Sequence, residues 1–106
     1  MTDTLPRAES PTRLLTLQYL LLAFSQLRVR NEALRYLDDL LAFLCGAPRE
    51  PLPEGCTRGE LAAVYLDDLS RDGRCREYDF RWLRSDPAFE DTLQRCRVQL
   101  ETSAQY

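Results

Sequence analysis

The sequence predicts an all-α fold, a compact antiparallel bundle of four to five helices, and three observations predict it. Apolar residues recur at spacings of three and four along every long segment. Helix caps and stops punctuate the chain between those segments. Apolar–polar alternation of the strand type is nowhere sustained, in a chain poor in Val and Ile. At 106 residues the chain has the length of one domain, because two separate cores would each bury too little surface to offset chain entropy.

Residues 1–9 are polar and aperiodic and read as a flexible N-terminal tail, which leaves residues 10–106 as a single helical domain. Ser10 followed by Pro11 predicts an N-cap with proline in the first turn, where its missing N–H is not needed. The helix that follows, to about Arg28, is apolar nearly all round, through Leu14, Leu15, Leu17, Leu20, Leu21, Leu22, Phe24 and Leu27. It is therefore expected as the central, most buried helix. Asn31 predicts the cap of a second helix, with Leu34, Leu37, Leu41 and Leu44 on one face and Gly46 and Pro48 at its end.

Residues 47–56 hold Pro48, Pro51, Pro53 and Gly55 and form the one long loop. Thr57 and Glu60, three apart, match a capping box that opens a third helix with the stripe Leu61, Ala62, Tyr65, Leu66 and Leu69. Asp72-Gly73 marks its end. Cys75, Tyr78 and Trp82 keep helical spacing and predict a short helix over 74–84. Asp86-Pro87 then starts a final helix carrying Phe89, Leu93, Cys96 and Leu100 on one face.

Composition narrows the function. With 44 % hydrophobic and 29 % charged residues the chain is an ordinary globular protein. All 14 basic residues are arginine, and the absence of histidine removes the side chain best suited to proton transfer near neutral pH, so no catalytic role is expected. A net charge of −3 disfavours nucleic acid, whose binding needs cations to displace counterions, and favours a basic partner. The Leu-rich stretch 14–24 is too short to span a bilayer and lacks a cleavage site, which predicts a cytoplasmic protein with no membrane attachment.

Cys45, Cys56, Cys75 and Cys96 lie far apart, without a Cys-x-x-Cys pair, so neither a metal nor another cofactor is expected. Two disulfides would account for all four. Cys45 and Cys96 fall on apolar helix faces, however, and with no secretion signal all four are expected as reduced thiols.

The pentapeptide Tyr-Leu-Asp-Asp-Leu occurs twice, at 36–40 and 65–69. With the leucines turned inward, Asp38, Asp39, Asp67 and Asp68 point outward and make two helices acidic. Such charges ordinarily do no more than solvate a face, but they also suit a basic partner. Neighbouring aspartates diverge by about 100° around a helix, which is poor geometry for a metal. Arg71, Arg74, Arg76, Arg81 and Arg84 gather after the third helix, with Tyr78 and Trp82 between them. Interleaved Asp68, Asp72, Glu77, Asp79 and Asp86 are expected to neutralise them through ion pairs. Cys75, between Arg74 and Arg76, is the only thiol with an electropositive setting, and it lacks a histidine base.

Three stretches, Arg76-Glu77-Tyr78-Asp79, Ser85-Asp86-Pro87-Ala88-Phe89-Glu90 leading to Leu93, and 31–37 (Asn-Glu-Ala-Leu-Arg-Tyr-Leu), resemble the small helical immunity proteins of bacterial type VI secretion effectors. The resemblance covers roughly residues 31 to 100, in pieces. It implies an antitoxin that docks over the nucleotide-binding active site of a cognate toxin, of the NAD(P) glycohydrolase or (p)ppApp synthetase group. An acidic helical face can occupy such a cation-lined site. The candidate partner-binding residues are Asp38, Asp39, Asp67, Asp68, Glu77, Tyr78, Asp79 and Trp82. A helical secretion chaperone or adaptor is the alternative and should expose a long apolar groove. A helix-turn-helix regulator would need a recognition helix free of acids.

Overall fold

The structure is a computed structural model that describes the backbone of residues 5–104 and the side chains of residues 12–103. Four helices account for most of it: α1 (Leu5–Leu27), α2 (Arg30–Cys45), α3 (Arg58–Asp72) and α4 (Pro87–Ala104). The fold is all-α apart from a two-stranded antiparallel hairpin, β1 (Arg74–Cys75) and β2 (Tyr78–Asp79), followed by a 3-10 turn at Arg81–Leu83.

Two of the predicted caps, Thr57 and Asp86, form as their residue types require. Thr57 Oγ1 accepts the Glu60 N–H at 3.2 Å while Glu60 Oε1 accepts the Thr57 N–H at 2.8 Å. Asp86 Oδ1 accepts the Ala88 N–H at 3.0 Å at the start of α4, and its carboxylate also takes a forked pair from Arg30 at 2.6 and 3.2 Å. The proline-rich loop is held by Arg58, which lies over the Phe43 ring at 4.0 Å and donates to the Phe43 carbonyl and to Glu50. That places a cation at the carbonyl end of α2, where the helix dipole favours it.

Several expectations are corrected. Helical backbone begins at Leu5, before the Ser10–Pro11 boundary. A proline in the first turn forfeits no bond, and Pro11 removes only one. Residues 1–4 of the expected tail lie outside the described residues. The second helix begins at Arg30 with extended Val29 before it, because Arg28 takes a left-handed turn at φ 56° and redirects the chain there rather than at Asn31.

The central helix is α2, which packs against α1, α3 and α4. Its Ala33, Leu34, Leu37, Leu40, Leu41, Leu44 and Cys45 are all buried. By contrast α1, among its described side chains, buries Leu14, Leu17, Leu21 and Ser25 on one side only. Being apolar all round does not make it the core helix, because α3 and α4 cover α2 instead.

The segment over 74–84 is not a helix. Gly73, left-handed at φ 71°, closes α3 by donating its N–H to the Leu69 carbonyl at 3.0 Å, and the chain reverses at Arg76, which holds φ 55°. Cys75 and Tyr78 then face each other across the hairpin. A two-residue turn puts positions three apart on one face just as a helix does, so the spacing alone does not separate the two. Both side chains are buried, as are Phe80 and Leu83 beyond them.

Cys45 on α2 and Cys96 on α4 form a disulfide, with Cα atoms 6.1 Å apart, while Cys56 and Cys75 are free. The expectation of four thiols is therefore corrected. Their common position on the facing sides of two packed helices is a tertiary fact, invisible in their separation along the chain. Such bonds are commonest in oxidising compartments, so the cysteines do not support a cytoplasmic location. Among the described residues no helix is long and apolar enough to cross a membrane.

Candidate functional site

The acidic candidates face solvent, but arginines of the same chain occupy most of them. Asp38 on α2 pairs with Arg95 of α4 at 2.9 Å. Asp67 and Asp68 both pair with Arg71, at 2.8 and 3.1 Å, one helical turn away. Asp79 and Arg81 make a two-point contact at 2.9 and 2.7 Å, and these bonds, with Arg74 adding to the field, hold the Asp79 carboxyl well below the usual carboxylate range. Asp39 and Glu77 form no ion pair with a described arginine. Exposed pairs contribute little to stability, yet each pair reduces the net field that a partner meets.

The two aromatic candidates divide. Tyr78 is 7 % exposed and its ring packs on Tyr65 with centroids 5.7 Å apart, so it is part of the core and offers no outward contact. Trp82 is half-buried, its Nε1 donating to the Asp79 carbonyl at 2.9 Å. It lines an open cleft of about 340 Å³ with Ser25, Gln26 and Arg28 at the end of α1 and with Arg74, Glu77, Asp79 and Arg81 of the hairpin. Of the eight candidates, the structure brings Glu77, Asp79 and Trp82 together here. Asp38 and Asp39 sit on α2 and Asp67 and Asp68 on α3, none of them lining this cleft.

Sequence reasoning missed the outward face of α1. Leu15, Tyr19 and Leu27 are 66 %, 72 % and 70 % exposed, and Val29 beyond them is also exposed. Residues 14–27 contain no charge. Spacings of four and eight put Leu15, Tyr19 and Leu27 on one flank, opposite the buried Leu14, Leu17 and Leu21. The signal was present as apolar residues on both sides of α1, but it reads equally as full burial.

Cys75 is unsuited to nucleophilic attack. Burial and the neighbouring Asp68 push its thiol up to about 12, so it is protonated at neutral pH. Burial likewise raises the Tyr65 and Tyr78 phenols, although the Tyr65 hydroxyl accepts a bond from Gln18 at 3.1 Å. All three groups hold their protons more tightly folded than unfolded. Their contribution to stability is therefore complete below about pH 8.5, the ordinary thiol value, and is lost as pH rises through the folded values. Urea unfolding should show a lower midpoint at pH 10.5 than at pH 7, and Cys75→Ala should flatten the early part of that decline. A midpoint independent of alkaline pH would show that this buried trio carries no such linkage.

No protein-family model, curated protein or solved structure matches this chain. Fold and site together define a small all-α protein with exposed Leu15, Tyr19 and Leu27 on an uncharged flank of its first helix and a cleft holding three arginines at the end of that flank.

Proposed function

We propose that this protein acts by stoichiometric binding of another protein, as an immunity protein that occludes the nucleotide-binding active site of a cognate toxin. The observation that supports a binding role is the stripe of Leu15, Tyr19 and Leu27 on α1. Exposed apolar side chains gathered on one helix flank mark interaction sites, and exposed aromatics are frequent anchors there. Asp39 and Glu77, which no described arginine neutralises, are the acids left to meet a basic toxin site. On this reading the protein works in the cytoplasm of the toxin-producing cell, where a reducing environment would hold Cys45 and Cys96 as thiols rather than as the disulfide.

The test is co-expression with the product of the neighbouring reading frame. That product should arrest growth when expressed alone, and this chain should restore growth. A variant carrying Leu15→Asp and Tyr19→Asp should fold normally, since exposed substitutions change stability by no more than about 0.5 kcal/mol each, and should fail to restore growth. A neighbour that is harmless, or whose toxicity the wild type does not relieve, sinks the immunity reading. The apolar stripe equally suits a secretion adaptor, which would raise the level of its partner without relieving toxicity.

A further inference from the structure

The outward flank of α1 and the cleft beside Trp82 are continuous. Gln26 lies seven residues beyond Tyr19, two turns along the same flank, and it lines the cleft together with Arg28 and Arg74. Arg81 in that cleft is engaged by Asp79. Arg28 and Arg74 form no ion pair with a described acid, although Arg74 lies near enough to influence Asp79, and they stand there against the single unpaired carboxylate of Glu77. Arg28 is also held in a left-handed conformation that non-glycine residues seldom adopt.

The charge pattern along the chain points the same way. Residues 10–31 carry Arg13, Arg28 and Arg30 and no acid, although the whole chain has 17 acids against 14 arginines. The segment that carries the apolar flank therefore brings only cations of its own, and the acids at its end, Glu77 and Asp79, come from the hairpin.

We propose that the α1 flank and the Arg28–Arg74 cleft form one docking surface for an apolar helical segment of the partner protein that ends in acidic residues. The apolar part lies along Leu15 and Tyr19, and the terminal carboxylates reach Arg28 and Arg74 beside Trp82. This deepens the binding role proposed above and rests on it, but it assigns the partner a local charge opposite to that of a basic toxin site. Desolvating the carboxylates against two otherwise unpaired guanidinium groups supplies the specificity, and the leucine and tyrosine supply the contact area.

Trp82 is the only tryptophan, so its fluorescence reports on the cleft. The probes are two synthetic amphipathic helical peptides with the same leucine face, one ending in Asp-Glu-Glu and the other in Lys-Lys-Lys. The acidic peptide should shift the Trp82 emission and bind about ten-fold or more tightly than the basic one, the difference expected for one charge-assisted bond. Arg28→Asn together with Arg74→Gln should abolish that preference with thermal stability unchanged, asparagine being chosen because it tolerates the left-handed backbone. Tyr19→Ser should weaken both peptides alike.

Equal binding of the two peptides, or no binding of either, overturns the proposal. So does a wild-type dimer in sedimentation that Tyr19→Ser dissociates, because a second copy would then cover the flank. Growth rescue is measured separately, so the immunity reading can fail while this surface stands, and the reverse.

Discussion

Phe80→Ala is expected to cost about 3–5 kcal/mol of folding stability, the range for deleting a fully buried aromatic. Phe80 is 0 % exposed and its ring stacks on Phe89 with centroids 5.6 Å apart, while its N–H donates to the Gly73 carbonyl at 2.8 Å. Phe80 thus links the end of α3 through its backbone and the first turn of α4 through its ring. In a domain of this size the melting temperature should fall by more than about 12 °C, at roughly 4 °C or more per kcal/mol. Phe80→Leu, which keeps most of the volume, should recover a large part of the loss. Thermal and urea unfolding measure both. A loss below about 1 kcal/mol for the alanine variant would mean that this junction is not packed as described.

Removing the Cys45–Cys96 bond is the second large effect. It closes a sequence separation of 51 residues, and the chain-entropy relation assigns such a loop about 4 kcal/mol. Cys45→Ala with Cys96→Ala should therefore lower the urea midpoint, and a thiol reductant should bring the wild type down towards the variant. Alkylation followed by mass measurement gives the direct check. Without reductant, Cys56 should label in the folded protein and buried Cys75 only on unfolding. Four labelled thiols in the unfolded, unreduced protein would show that the bond is absent.

Local chemistry made several elements legible in advance. Thr57 with Glu60 opened α3, Asp86-Pro87 opened α4, and prolines 48, 51 and 53 kept the intervening loop out of any helix. In each case the cause lies within a few residues: a side-chain oxygen meets an unpaired N–H, or a ring removes one. The leucine stripe of α2 was equally plain, since a spacing of three and four selects one helix face. The outward placing of Asp38, Asp39, Asp67 and Asp68 followed from the same geometry.

The tertiary structure decided what spacing cannot express. Which apolar helix becomes central depends on which neighbours cover it, so α2 took the core and α1 kept Leu15, Tyr19 and Leu27 in solvent. Helix and hairpin both place Cys75 and Tyr78 on one side, and only the left-handed Gly73 and Arg76 chose the hairpin. The meeting of Cys45 with Cys96, and of Arg95 with Asp38, needed α2 and α4 to pack side by side. Sequence by itself determined the helical class, the caps of α3 and α4 and the acidic balance, because those arise from local periodicity and composition. The burial of Tyr78 and the arginine cleft beside Trp82 arise from contacts between segments distant in the chain, so the fold alone could set them.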